Sequence, residues 1–220
     1  MLHEQLRTSI VRHCSAMLQA GLTTGSGGNI SVRTPESRHV CMSPTGIPYD
    51  NMRTADVTVV DTHGAAIDGD RNPSSELPMH LAVYAARPDV NAIVHTHSPY
   101  AATFACLREP IPAVHYLVGF AGTHVPVAPY ATYGTPELAA GAVETLGTDF
   151  QAVLLANHGL LAVGPSLERA YAVAEEIELV ARICFQSRAI GSPVILDEEE
   201  MWRVIRKFRS YGIQPSGEGD

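Results

Sequence analysis

The sequence predicts an α/β fold in which helices pack on a mostly antiparallel sheet. Short β-rich segments bounded by Gly, Pro and Ser clusters are interleaved with longer runs of helical periodicity. Hairpins occur among them without a strict strand–helix–strand repeat, which argues against a purely parallel sheet. The chain has 220 residues, 45% of them hydrophobic and only 17% charged, enough for a full core and incompatible with a disordered chain.

Leu6, Ile10, Cys14, Met17 and Leu18 recur at helical spacing, and Gly21 stops that first helix. Asn29–Arg33, His39–Met42 and Val57–Asp61 read as short strands. Ser74-Ser75-Glu76 starts a second helix that runs to about Arg87 and ends before Pro88. Pro78 is tolerated there because the first turn has no backbone hydrogen bond to lose. Asn91–Thr96 is a strand, and Ser98-Pro99 caps and opens a third helix. Val125–Ala128 is a short strand, and Thr135-Pro136-Glu137 opens a fourth helix. Ala152–Ala156 and Leu160–Val163 form a hairpin turning on Asn157-His158-Gly159. From Ser166 to about Ile190, Ala170, Ala174, Ile177, Ala181 and Cys184 mark a long amphipathic helix. Asp197-Glu198-Glu199-Glu200 reads as a capped helix start whose dipole favours those carboxylates. No internal repeat and no linker precede Ser216, so residues 1–213 are expected to form a single domain and 214–220 a flexible tail.

Composition excludes several kinds of chemistry. A net charge of −8 argues against a nucleic-acid binder, which needs a basic face to neutralise phosphates. Lys207 is the single lysine among 15 basic residues, so no Gly-Lys-Ser/Thr phosphate loop exists. A Schiff-base enzyme would depend on that lysine, yet Arg206-Lys207-Phe208-Arg209 reads as helix surface rather than a desolvated pocket. Cys14, Cys41, Cys106 and Cys184 are widely spaced without a Cys-x-x-Cys pair, as expected of small buried side chains in a reducing compartment. The N-terminus lacks the apolar core of a signal peptide. The longest apolar stretch, Ala152 to Gly164, is broken by Asn157-His158-Gly159 and is too short for a bilayer. The expectation is a soluble, cytoplasmic protein with neither membrane nor nucleic-acid partners.

His95-Thr96-His97 follows the apolar run Ala92-Ile93-Val94. Strand alternation puts both histidines on one face and Val94 and Thr96 on the other, a natural pair of ligands for Zn²⁺ or a similar ion. His158, at a hairpin tip, is a candidate third ligand. Glu76, in the first turn of a helix, can project a carboxylate into the same site. His80 lies one turn beyond Glu76 and reads foremost as an ordinary helix-face histidine.

A second constellation consists of hydroxyl-rich loops. Gly25-Ser26-Gly27-Gly28-Asn29 lacks the third glycine of a dinucleotide fingerprint, because Ile30 occupies its place, and it follows a helix rather than a strand. Its successive N–H groups can instead cradle a phosphate. Ser43-Pro44-Thr45-Gly46 and Ser74-Ser75, the latter at a helix N-terminus, supply further neutral donors.

Gly25-Ser26-Gly27-Gly28-Asn29-Ile30-Ser31-Val32-Arg33, Ser43-Pro44-Thr45-Gly46, Ser74-Ser75-Glu76, His95-Thr96-His97 and Asn157-His158-Gly159 together resemble the class II aldolase/adducin-type family, in order, from about Leu6 to Tyr211. The resemblance implies a three-layer α/β/α fold with a mixed, mostly antiparallel sheet. It also implies a homotetramer with active sites at subunit boundaries. By it, His95, His97 and His158 hold one divalent metal per subunit (Zn²⁺ first, Mn²⁺ or Co²⁺ next), with Glu76 a fourth ligand or the proton carrier. Ser26, Gly28, Asn29, Thr45, Gly46, Ser74 and Ser75 bind a substrate phosphate. Tyr116 matches a tyrosine that reaches into the neighbouring subunit's site, and Tyr211 a second one near the C-terminal tail.

The implied activity is metal-dependent cleavage of a ketose 1-phosphate. The expected substrate is L-fuculose 1-phosphate or a related deoxy-ketose 1-phosphate, giving dihydroxyacetone phosphate and a short aldehyde such as lactaldehyde. The family also holds pentulose-phosphate 4-epimerases, methylthioribulose-1-phosphate dehydratases and non-catalytic adducin-like assembly modules. The epimerases carry an acidic proton carrier where no Asp or Glu lies between Glu109 and Glu137 here. The assembly modules are expected to lack the ligands that this chain retains. Val118-Gly119-Phe120-Ala121 and Tyr133 depart from the family's fuculose-phosphate pattern on the aldehyde side, which leaves a deoxypentulose 1-phosphate open as substrate.

Overall fold

The computed structural model describes residues 1–34, 36 and 38–208. Tyr211 and the tail at 214–220 lie outside the described residues. The helices are α1 (Glu4–Gln19), α2 (Leu77–Ala86), α3 (Pro99–Leu107), α4 (Pro136–Leu146), α5 (Leu167–Ile190) and α6 (Glu198–Phe208). The strands are β1 (Asn29–Arg33), β2 (Val40–Met42), β3 (Thr58–Val60), β4 (Ala66–Asp68), β5 (Ala92–Thr96), β6 (Val127–Ala128), β7 (Ala152–Leu155) and β8 (Gly159–Gly164). Two 3₁₀ helices, Thr54–Asp56 and Tyr116–Phe120, lie outside the sheet.

The strands form one sheet in the order β4-β3-β2-β1-β5-β8-β7-β6. Neighbours run antiparallel except β6 and β7, which are parallel. The expected mixed, mostly antiparallel α/β architecture is therefore observed. Alternation along β5 sends Ala92 and Val94 into one apolar cluster with α1, α3 and α5, and Ile93 into another with α2 and α4. The sheet is thus covered on both faces, which makes three layers.

Local chemistry accounts for most element boundaries. Leu22 N–H donates to the Met17 carbonyl at 3.0 Å and Gly21 N–H to Leu18 at 3.2 Å, the paired bonds of a Schellman stop after α1. Thr135 and Ser166 accept from the backbone N–H groups of Leu138 and Arg169, capping α4 and α5. Asp197 does the same for Glu200 at the start of α6.

Two expectations need correction. Ser98 stands at the N-cap of α3, but its hydroxyl makes no capping bond and accepts from Thr96 Oγ1 at 3.3 Å instead. The cap comes from α5: the Glu178 carboxylate accepts from Tyr100 N–H at 2.9 Å and Ala101 N–H at 2.8 Å, where a negative charge also opposes the helix dipole. Glu76 precedes α2 rather than lying in its first turn. In addition, β4 and the two 3₁₀ helices had no sequence signal, and most strands are a residue or two shorter than the β-rich runs imply.

A buried carboxylate pins the loop before β3. Asp56 accepts from Arg53 N–H at 2.9 Å and from the Arg53 and Arg71 side chains. The Arg53 hydrogen bond comes first in holding its carboxyl down at about 2, against the opposing effect of burial. In the unfolded chain the group titrates near its ordinary value of about 3.9, so its stabilisation is present above that pH and is lost as pH falls from about 4 to 2. Asp56→Asn is expected to lower unfolding free energy by roughly 1–3 kcal/mol near neutrality. In urea titrations at stepped pH, the gap to the parent chain should close as pH approaches 2.

Candidate metal centre and phosphate cradle

The sheet register assembles four side chains that the sequence keeps far apart. His95 on β5 pairs with Asn29 of β1 on one side and Leu161 of β8 on the other. His97 follows the end of β5 on the same face. His158 sits in the tight turn between β7 and β8, where Leu155 pairs with Gly159. Glu76 arrives at the N-terminus of α2, which packs on that face.

The His95 and His97 Nε2 atoms lie 3.0 Å apart, and those of His95 and His158 3.2 Å apart. Glu76 Oε2 is 3.1 Å from His95 Nε2, and Oε1 is 3.5 Å from His158 Nε2. One ligand atom from each of the four residues lies within 4.8 Å of all the others. His95 Nδ1 is 2.9 Å from the Leu160 carbonyl, which can only accept, so Nδ1 carries a hydrogen and, in the neutral ring, Nε2 presents a lone pair.

These residues fit a divalent cation. The single lone pair at His95 Nε2 faces two other ring nitrogens, and hydrogen bonding can satisfy only one such contact. Glu76 Oε1 is buried without a hydrogen-bond partner. Metal–nitrogen bonds of about 2.0–2.1 Å in tetrahedral geometry imply nitrogen separations of roughly 3.3–3.4 Å, close to those found. Three imidazoles and one carboxylate are a donor set suited to Zn²⁺, Co²⁺ or Mn²⁺.

The electrostatics agree. Burial works against a charge on Glu76, but His95, His158 and the Asn29 amide outweigh it and hold the carboxyl below its ordinary range. For His95 burial is likewise opposed, and the neighbouring Glu76 carboxylate raises its value. Loss of solvation, then the charge of His95, lowers His97 and His158 to about 4. Both therefore stay neutral, the form a metal requires, well below neutrality.

The three hydroxyl-rich loops come together beside this cluster. Ile30 N–H donates to Ser43 Oγ at 3.1 Å, and Ser74 N–H to the Ser43 carbonyl at 3.0 Å. Tyr49 ties the glycine loop down twice: its N–H donates to the Gly25 carbonyl at 3.2 Å and its hydroxyl to the Gly28 carbonyl at 2.6 Å. Thr23 Oγ1 adds a bond to the Gly27 carbonyl at 2.7 Å. Ser26, Thr45, Gly46 and Ser75 face solvent, whereas Asn29 and Ser74 are buried.

Two glycines let backbone touch backbone at the metal cluster. Gly28 has φ +66°, and a Cβ there would fall on the His95 carbonyl oxygen. At Gly159 a Cβ would fall on the Thr96 carbonyl oxygen, with His97 Cδ2 only 3.1 Å away. Gly159→Ala must push the His158 turn off β5. It is expected to cost roughly 1–3 kcal/mol in denaturant unfolding. Metal analysis of the purified variant should show it depleted.

The structure thus brings together Glu76, His95, His97 and His158, with the phosphate candidates adjoining them. Asn29 is committed in part to Glu76, its Nδ2 donating to Oε2 at 2.8 Å. Tyr116 is not part of this cluster within one chain. It is 48% exposed on the 3₁₀ helix, its ring against His115 and Phe208. His80 proves to be fully buried against Ser31 rather than a ligand. Burial first, then His95, lowers its value to about 3, so it is neutral. Tyr49 and Thr23, which shape the glycine loop, were missed. Their only sequence signal is proximity to turn-forming residues.

Comparison with known proteins bears on this site. The model of the "Class II Aldolase and Adducin N-terminal domain" matches residues 8–185. A 5-deoxy-D-ribulose 1-phosphate aldolase of Bacillus thuringiensis serovar kurstaki is 48% identical over 214 residues, covering 97% of this chain and 100% of that protein. A 5-methylthioribulose-1-phosphate/5-deoxyribulose-1-phosphate aldolase of Rhodospirillum rubrum is 38% identical over 208 residues, covering 94% and 92%. Among solved structures, an L-fuculose 1-phosphate aldolase superposes with a TM-score of 0.92 at 41% identity, covering 95% of this chain and 98% of that one. No helix among the described residues is long and apolar enough to cross a membrane.

Proposed function

The chain belongs to the class II aldolase and adducin family and is an aldehyde-lyase of that class, and from this premise we propose that it cleaves a ketose 1-phosphate to dihydroxyacetone phosphate and a short aldehyde. The observation that carries the reading is the convergence of Glu76, His95, His97 and His158 beside three donor-rich loops. Because the 48% identical relative is named for 5-deoxy-D-ribulose 1-phosphate, that deoxypentulose is the first substrate candidate, with acetaldehyde as the aldehyde. L-Fuculose 1-phosphate, which yields lactaldehyde, is the second.

Each group then has a role. Ser26, Gly28, Asn29, Thr45, Gly46, Ser74 and Ser75 hold the phosphate through neutral N–H and O–H donors. His95, His97 and His158 hold the cation, Zn²⁺ by preference, with Glu76 at its edge. The cation supplies the electron sink that an iminium lysine supplies in other aldolases. The lone lysine cannot take that part, since Lys207 is exposed on α6.

In the cleavage direction the hydroxyl on the carbon that becomes the aldehyde loses its proton to Tyr116, reaching over from a second copy of the chain. The carbon–carbon bond breaks, and Glu76 delivers a proton to the carbon left behind. In condensation Glu76 removes that proton and Tyr116 returns the other. Exposure of Tyr116 in the single chain supports a site completed across subunits of a homotetramer. A net charge of −8 and the small polar cradle support a free sugar phosphate as the partner, in the cytoplasm, rather than a nucleic acid.

The test is a panel of ketose 1-phosphates assayed for released dihydroxyacetone phosphate, with product mass recorded. 5-Deoxyribulose 1-phosphate is expected to give the highest kcat/KM. Products of unchanged mass would mean epimerisation, and loss of water alone would mean dehydration; either overturns the proposal.

A further inference from the structure

One buried feature is left unused by this mechanism. β1 presents Asn29, Ser31 and Arg33 on the face covered by α2, at every second residue. Glu76, at the start of α2, is followed on that helix by His80 and Tyr84 at every fourth residue, which meet β1. Two strand residues advance about 6.7 Å and four helical residues about 6 Å, so rungs between the two elements stay in step.

Every rung is made. Asn29 Nδ2 donates to Glu76 Oε2 at 2.8 Å. Ser31 Oγ lies 2.7 Å from His80 Nδ1 and 2.7 Å from Tyr84 Oη. Arg33 Nη1 donates to the Tyr84 carbonyl at 2.7 Å, with its guanidinium over the Tyr84 ring. The Ser31 hydroxyl has one hydrogen and two lone pairs, so it can bond both neighbours at once, donating to at most one of them.

Nothing about packing demands polarity here. Met42, Met79, Val83 and Ile93 surround the ladder in the same apolar cluster. Ser31 and His80 are each 0% exposed, and His80 Nε2 is buried without a hydrogen-bond partner. An aliphatic or aromatic side chain would fill that space without leaving a polar atom unpaired. What the ladder adds is a fixed rotation of α2 about its own axis. A rotation of about 20° would carry a carboxylate about 6 Å from that axis through roughly 2 Å. Displacements of about 1 Å can cost a catalytic group about 100-fold in rate.

We propose that the β1–α2 polar ladder, with Ser31 and His80 at its centre, is a positioning device that holds the Glu76 carboxylate in register with the three histidines. The inference rests on the proposed role of Glu76. Ser31 and His80 are positioning residues that act through α2.

Ser31→Ala, His80→Phe, His80→Gln and Glu76→Gln are purified, and zinc affinity is measured by competition with a chromophoric chelator. Cleavage of 5-deoxyribulose 1-phosphate and L-fuculose 1-phosphate is followed in parallel. Ser31→Ala and His80→Phe are expected to weaken zinc binding or lower kcat by about 10-fold or more, with KM within about 2-fold, and His80→Gln, which can still bond Ser31, to restore most of the loss. Both quantities within about 2-fold of the parent, or a loss that glutamine does not relieve, overturn the ladder while Glu76→Gln is impaired. An unimpaired Glu76→Gln overturns instead the role of Glu76. Should His80→Phe fail to fold, Tyr84→Phe decides by the same criteria, since it removes only the hydroxyl that meets Ser31.

Discussion

Replacing Glu76 with glutamine is expected to lower kcat about 1,000-fold while leaving the metal bound through purification. The change is nearly isosteric, and the amide can still meet Asn29, so the fold has little reason to respond. What disappears is a basic oxygen. Glu76 Oε1 is buried, 3.5 Å from His158 Nε2 and without a hydrogen bond, and an amide there cannot take a proton from carbon. Three imidazoles remain to hold the cation. Metal content by emission spectroscopy, with steady-state release of dihydroxyacetone phosphate, checks both halves. A variant with undiminished turnover would remove Glu76 from the chemistry.

Stripping the metal should have the larger effect still. Dialysis against a strong chelator is expected to reduce cleavage to background, and adding back Zn²⁺, Co²⁺ or Mn²⁺ one at a time should rank them by recovered rate. The same titration reads stability. A ligand that binds only the folded chain stabilises it by about 2.7 kcal/mol at a hundred times its dissociation constant, so the stripped protein should melt lower and regain its midpoint with added ion. Activity that survives complete removal would end the proposed mechanism.

Much of the fold was legible because its signals are local. Gly21, Thr135, Ser166 and Asp197 act within a turn of themselves, and the structure places each helix end where they imply. Elements that depend on distant partners were not. Ala66–Asp68 forms a short, largely exposed edge strand with no apolar alternation to read. The Glu178 cap on α3 joins residues 77 and 78 positions apart, beyond any pattern of neighbouring side chains. The candidate site divides in the same way. His-x-His on a strand announces two ligands through period-two alternation alone. That His158 joins them follows from the order β1-β5-β8-β7, and that Glu76 does from the packing of α2 on this face; the resemblance implied the ligand set, and composition did not. His80 shows the converse, a histidine near the site in sequence that serves the helix–sheet interface.

The antiparallel pairing of β5 with β8, from Ala92↔Gly164 to Thr96↔Leu160, has a consequence for biogenesis. His95 and His97 leave the ribosome well before the turn bearing His158, and the strand that locks that turn in place is not finished until Gly164. A nascent chain therefore carries Glu76 and two of the three imidazoles before the turn bearing the third has emerged. On the proposed metal role, the complete set of three imidazoles exists only once β8 has paired with β5, so full-affinity metallation is expected after that pairing. On that role, a chain that folds before it meets the cation is expected to be inactive until the ion is added.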